Sequence, residues 1–183
     1  LEATAFIQEL LSATVKRVPF SVEGLNDDGI EEKMEEHLDV IEMKTKLQSD
    51  ERRTSSTLVL PPGTRGAWRA LRMAIKRDQS DQGFLVVGSA GVGKSRSINH
   101  LIREYINEAQ QSPVDQPLPV VVFEHRKDRC AWLFAPKDPA NHQSDYEAFK
   151  VHIKQFDEVD VAALNNPNNL YVVDSGMAEN SKG

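Results

Sequence analysis

The chain has 183 residues, a net charge of −6, 39% apolar residues and a mean hydropathy of −0.48. These values are ordinary for a globular protein and exclude a collagenous or wholly disordered chain. No apolar run approaches the 18 or so residues that a membrane span requires, so we expect no membrane partner. The lone cysteine, Cys130, has no internal disulfide partner, which favours an intracellular, reducing setting.

The beginning of the chain is predicted to be helical. Apolar residues recur at helical spacing from Phe6 to Val18, and Pro19 limits the end of that helix. A second helical pattern runs from Ile30 to Leu47, with Asp28 as its N-cap. We therefore expect a helical N-terminal segment.

Charge changes sign near residue 51. Eleven acidic residues and three lysines lie between Glu23 and Glu51, which indicates either a solvated helix face or an acidic contact surface. Residues 52–77 carry seven basic residues and no acidic one. A polar linker separates the two regions, and we predict a helical N-terminal segment with an acidic linker over 1–57 and a second domain over 58–183.

The second domain opens with a basic amphipathic helix. Its apolar face carries Trp68, Leu71 and Ile75. The opposite face is either a solvated surface or a contact for nucleic-acid phosphates. That face consists of Arg65, Arg69, Arg72, Lys76 and Arg77.

A phosphate-binding loop follows. The string GSAGVGKS, from Gly88 to Ser95, matches the pattern GxxxxGK[ST], an apolar strand over 83–88 precedes it, and a helical pattern over 98–109 follows it. Glycines let successive N–H groups converge on a phosphate, and the helix N-terminus favours negative charge. Lys94 is placed to reach the β- and γ-phosphates, and the Ser95 hydroxyl to ligate Mg²⁺. The predicted nucleotide-binding residues are Gly88, Ser89, Ala90, Gly91, Val92, Gly93, Lys94, Ser95 and Arg96.

Two strand ends carry acidic residues that suit the chemistry of a nucleotide. The apolar strand Leu170–Asp174 matches the Walker B pattern, which makes Asp174 the second predicted Mg²⁺ ligand. Ser175 stands where many such ATPases have a catalytic Glu. Glu124, at the end of the strand 120–124, is therefore the candidate base, with a surface ion pair as the alternative reading and His125 as a weaker candidate. The five histidines show no zinc-like spacing.

The remaining elements predict the fold class. Strands 120–125 and 130–134 are expected to form a hairpin, and Ser144 to cap a short helix that carries Phe149, Ile153 and Phe156. The element order predicts an α/β, P-loop NTPase three-layer sandwich with a largely parallel sheet. Because such sheets have five or more strands, we expect the domain to be incomplete and a missing C-terminal part or self-association to complete it.

The segments GSAGVGKSRSINHLI, VVVFEHRKDRCAWLFAP and NNPNNLYVVDSG resemble the Crinkler effectors of oomycetes and fungi and, more distantly, the retrotransposon hot spot proteins of trypanosomes. The similarity runs from about Leu60 to Gly176. It implies a P-loop NTPase module of a modular effector that is secreted into a host and acts in its nucleus. Gly88, Gly93, Lys94, Ser95 and Asp174 match the motifs of the family.

Two functions follow from these patterns. The first is Mg²⁺-dependent binding and hydrolysis of a nucleoside triphosphate, ATP or GTP, with Lys94 and Glu124 as catalytic residues. The alternative is a nucleotide-dependent switch or targeting module with little hydrolysis, with nucleic acid as a further partner.

Overall fold

The computed structural model describes residues 2–25, 31–45, 56–60, 63–77, 86, 93–112, 116–125, 130–152 and 168–174. Contacts divide the chain into two compact units, one of Ala13–Ser97 and one of Leu1–Ser12 with Ile98–Gly183. Within the described ranges, no helix is both long and apolar enough to cross a membrane. The elements are α1 (Glu2–Ser12), β1 (Val15–Leu25), β2 (Glu31–Glu42), β3 (Thr57–Leu60), α2 (Thr64–Arg77), α3 (Lys94–Gln111), β4 (Val121–His125), β5 (Cys130–Pro136), β6 (Tyr146–His152) and β7 (Leu170–Asp174).

The predicted fold class, a three-layer sandwich with a largely parallel sheet, is wrong. The described strands form two sheets, an antiparallel one in the order β1-β2-β3 and a mixed one in the order β6-β5-β4-β7. In the mixed sheet β4 and β7 are parallel, while β5 is antiparallel to both of its neighbours. A short hairpin connection between β4 and β5 produces this arrangement, because so few residues cannot make the crossover that parallel neighbours need.

The helix predicted over Ile30–Leu47 is also wrong, since β2 occupies most of that range. Met34 and Leu38 are four residues apart, a spacing that fits one face of a helix and equally one face of a strand. Pairing decides the outcome: β2 runs antiparallel to β1 from Glu31 opposite Leu25 to Ile41 opposite Val15. Backbone hydrogen bonds along this ladder override the helical preference of the glutamates.

The first predicted helix is confirmed for its first half. Phe6, Ile7 and Leu10 are buried on one face of α1, but the helix ends at Ser12. Val18 and Pro19 lie instead in β1. Because β1 is an edge strand of its sheet, the missing N–H of a proline is tolerated there.

The short helix predicted after Ser144 is replaced by β6. The Ser144 hydroxyl caps a turn and not a helix: it accepts a hydrogen bond from the Asp138 N–H at 2.9 Å and donates to the Asp145 carbonyl at 3.2 Å. Tyr146 and Ala148, two residues apart, then point to the same buried face, as strand geometry requires. Ile153 and Phe156 of the predicted helix lie outside the described residues.

Four sequence predictions are confirmed. Helix α2 includes Trp68, which is buried, and α3 begins within the predicted loop-to-helix motif. The hairpin of β4 and β5 forms with His125 opposite Cys130. Strand β7 ends at Asp174, as the Walker B pattern predicts. The predicted domain boundary at residue 57 stays a prediction.

The mixed sheet has two unlike faces. The face that carries Val121, Phe123 and His125, here called the inner face, is buried, and Tyr105 of α3 lies close enough to Tyr146 on that face to affect its ionisation. The opposite, outer face has exposed apolar side chains at Phe149, Tyr171 and Val173. Val122 and Ala131 on the outer face are buried as well, so most of the buried residues of this sheet, but not all of them, lie on the inner face.

Tyr146 joins β6 to the segment that leads into β4. Its side chain is fully buried, and its hydroxyl donates a hydrogen bond to the Pro119 carbonyl at 2.9 Å. Burial, and secondarily the neighbouring Tyr105, raise the pKa of Tyr146 well above its usual range. The folded protein therefore keeps this phenol protonated at pH values where an unfolded chain ionises it.

We expect Tyr146→Phe to lower the free energy of unfolding by about 1–2 kcal/mol at pH 8, because the Pro119 carbonyl loses its buried donor. Since the raised pKa makes the wild type lose stability as the pH rises above about 10, the difference between the two proteins should shrink there. Urea unfolding at pH 8 and at pH 10.5 measures both effects. Tyr171→Phe, at a tyrosine that is 43% exposed, is the control. Equal stability at pH 8 would contradict the assignment.

Candidate functional site

The predicted phosphate-binding loop is described in part. Gly88, Ser89, Ala90, Gly91 and Val92 lie outside the described residues, and Gly93, Lys94, Ser95 and Arg96 lie within them. The four described residues belong to the unit Ala13–Ser97 and form the junction between the loop and α3.

Gly93 has the backbone conformation that makes a sharp entry into α3. Its φ is +83°, and its carbonyl accepts the first helical hydrogen bond, from the Ser97 N–H at 2.9 Å. A β-carbon at this position would meet no atom within 4 Å, so the need for glycine comes from the left-handed φ and not from space. Gly63 does the same for α2, with φ of +80° and a hydrogen bond from the Ala67 N–H.

Lys94 and Ser95 are the first two residues of α3, and both are half-buried. The first N–H groups of a helix have no partner within that helix, and the aligned peptide dipoles place partial positive charge there. Ser97 closes the first turn, since its hydroxyl donates to the Lys94 carbonyl at 2.7 Å. The helix start thus joins backbone donors, a lysine ammonium and a serine hydroxyl within one turn.

Asp174 lies in the other unit, at the carboxyl end of β7. Two hydrogen bonds at the other end of this strand set its register: the Leu170 N–H donates to the Val120 carbonyl at 3.0 Å, and the Val120 N–H donates to Asn169 Oδ1 at 2.8 Å. In this register Asp174 is paired with His125. A slip of one residue would turn Asp174 to the outer face of the sheet.

Four polar side chains form a row across the mixed sheet, at the edge where β4 and β7 end. Asp174 is paired with His125, His125 with Cys130, and Cys130 with His152, so all four lie on the inner face. We call them the carboxyl-edge row. Sequence periodicity does not reveal this row, and the short β4–β5 connection, which aligns His125 with Cys130, is its local indication.

The candidate base lies on the opposite face of the sheet. Glu124 immediately precedes His125 in β4, so its side chain points to the outer face. Its carboxylate accepts a hydrogen bond from the Tyr171 hydroxyl of β7. The structure therefore brings His125 together with Asp174 and separates Glu124 from both.

Binding of Mg²⁺ by this chain stays a prediction. Among the described residues, no group of three or more His, Cys, Asp or Glu side chains is arranged to hold a metal. Zinc sites need such a group, whereas Mg²⁺ is usually bound through one or two protein oxygens together with phosphate oxygens and water. Asp174, which is 13% exposed, belongs to one unit and Ser95 to the other, so the prediction that they bind Mg²⁺ rests on the sequence motifs.

Arg65, on the basic face of α2, is engaged within its own unit. Arg65 Nη1 lies 3.5 Å from Asp39 Oδ2, and Arg17 Nε lies 3.7 Å from Asp39 Oδ1. Asp39 is 11% exposed, so Arg65 contributes to the charge balance of a buried carboxylate. Arg69 is exposed and Arg72 is half-buried, while the side chains of Lys76 and Arg77 are outside the description. Nucleic-acid binding by this face stays a prediction.

No protein-family model matches the chain, and neither a curated protein nor a solved structure matches it. The resemblance to the Crinkler effectors therefore stays a prediction.

We expect Asn169→Ala to lower the free energy of unfolding by about 1–2 kcal/mol, because the Val120 N–H loses its acceptor at the start of β4. Hydrogen exchange of the β7 amides should accelerate in parallel. The control is Asn141→Ala, which removes an exposed side-chain acceptor for the Gln143 N–H. Unchanged exchange in β7 would show that Asn169 does not hold the register.

Proposed function

We propose that this protein binds and hydrolyses a nucleoside triphosphate with Mg²⁺, and that ATP or GTP is the nucleotide. The observation that carries the proposal is the junction at Gly93, where a left-handed glycine leads directly into a helix that begins with Lys94 and Ser95. Helix N-termini that follow glycine-rich turns are anion-binding sites because their N–H groups and dipoles converge on negative charge.

The proposed role of each residue follows from the chemistry of its side chain. Lys94 supplies a compact positive charge to the terminal phosphates, and the N–H groups at the start of α3 donate hydrogen bonds to their oxygens. The Ser95 hydroxyl and the Asp174 carboxylate are the oxygen ligands that the sequence motifs predict for Mg²⁺. When bound, Mg²⁺ neutralises charge that develops on the phosphate oxygens during transfer.

A nucleotide-dependent switch with little hydrolysis is the second candidate, and two features favour it. Glu124, the candidate base, accepts a hydrogen bond from Tyr171 on the outer face, whereas Asp174 lies on the inner face. Ser175 follows Asp174 in place of a glutamate. Binding without turnover is compatible with both features.

We also propose, on the resemblance alone, that the nucleotide module belongs to a Crinkler-like effector. The segment from Leu60 to Gly176 carries that resemblance. Secretion into a host and action in its nucleus belong to the same proposal.

We expect Lys94→Ala to weaken ATP binding by about tenfold to a hundredfold, because a charge-assisted contact to phosphate is lost. Isothermal titration of ATP and GTP, each with and without Mg²⁺, measures the effect and identifies the preferred base. Lys16→Ala is the control, since that lysine pairs with Glu42 at the surface.

A pair of glycine variants separates phosphate binding from helix geometry. Gly93→Ala and Gly63→Ala impose the same strain at the start of a helix, so both should destabilise the protein by about 1–2 kcal/mol. Only Gly93→Ala should also weaken ATP binding. Equal affinity for ATP in the wild type, Lys94→Ala and Gly93→Ala would reject the proposal.

Glu124→Gln distinguishes hydrolysis from switching. If Glu124 is the base, phosphate release should fall by about a hundredfold or more while ATP affinity stays the same, since general-base catalysis contributes that much. If the protein is a switch, the wild type should show no turnover and Glu124→Gln should match it. Tyr171→Phe removes the hydrogen bond to Glu124. If the protein is a switch, this variant should also show no turnover.

A further inference from the structure

We propose that His125 is a positioning residue that orients the Asp174 carboxylate, an inference that rests on the proposed function. His125 and Asp174 are paired residues of two adjacent parallel strands and lie on the same face of the sheet. His125 Nε2 lies 3.9 Å from Asp174 Oδ2. Their side chains are only 10% and 13% exposed, so the protein around them restricts the rotamers available to both.

The backbone holds the two residues in this relation. The β4–β7 ladder and the hydrogen bond from Val120 to Asn169 set the register at the opposite end of the strands. Strand separation in a ladder is nearly constant, at about 4.8 Å. The distance between His125 and Asp174 is therefore determined by the sheet and not by a flexible loop.

The imidazole ring of His125 also contacts a residue of its own strand. Phe123, two residues earlier on the same face, meets it edge-on with ring centroids 6.2 Å apart. Cys130 lies directly opposite His125 on β5. On its other side, His125 is paired with Asp174 on β7.

The separation indicates how His125 acts. A distance of 3.9 Å exceeds a direct hydrogen bond and suits an electrostatic contact or one bridging water. A carboxylate has two oxygens on one rigid plane, so a contact to Oδ2 also sets the direction of Oδ1. Residues that orient a metal ligand in this way affect metal affinity by about 10- to 100-fold when they are replaced.

The test measures how much Mg²⁺ increases ATP affinity, as the ratio of the dissociation constants without and with the metal. We expect His125→Leu to reduce this ratio by about tenfold and to leave metal-free ATP affinity unchanged. His125→Gln, whose side-chain amide reaches about as far as Nε2 and keeps an N–H donor, should restore most of the ratio. Cys130→Ser, on the other side of His125 in the carboxyl-edge row, is the matched control and should keep the full ratio.

The outcomes separate this inference from the proposed function. If Mg²⁺ increases the ATP affinity of the wild type and His125→Leu keeps that increase within about twofold, the inference alone is overturned. A wild type that binds no ATP overturns the proposed function and the inference with it. If His125→Leu does not fold, His125→Val replaces it, because a β-branched residue suits a strand and also lacks the ring nitrogens.

Discussion

The register of β7 on β4 is the constraint on which the chemistry of the mixed sheet depends. Asn169 and Leu170 secure the start of the parallel pair against Val120, and five residues later the same register brings Asp174 beside His125. Because side chains alternate along a strand, one step of slip would exchange the inner and outer faces. A polar turn residue thus determines which side of the sheet receives the carboxylate.

The start of helix α3 depends on the backbone conformation of a single residue. Gly93 takes a left-handed φ and accepts the first hydrogen bond of the helix, so Lys94 and Ser95 fall in the first turn, where partial positive charge is concentrated. Gly63 shows that the same turn can begin a helix with no phosphate-binding sequence. The glycine is therefore necessary for the geometry, while the residues around it decide what the helix terminus binds.

The differences between predicted and observed elements have a common origin. Strand β2 and the segment after Ser144 both carry local sequence signals that are compatible with two different structures. In β2 the signal is a four-residue apolar spacing, and after Ser144 it is a capping serine. In each, pairing with another strand decides the outcome, since β2 pairs with β1 and β6 pairs with β5. Long-range pairing is invisible to periodicity.

The sequence by itself determined the elements whose signals are local: α2, α3 with Lys94 and Ser95 at its start, the β4–β5 hairpin, and the strand that ends at Asp174. Turn chemistry and periodicity suffice for these because they act over a few residues. Only the tertiary structure decided that the sheet is mixed, that His125 meets Asp174, and that Glu124 points to the opposite face. Those facts depend on strand order and register, which arise from hydrogen bonds between residues far apart in the chain.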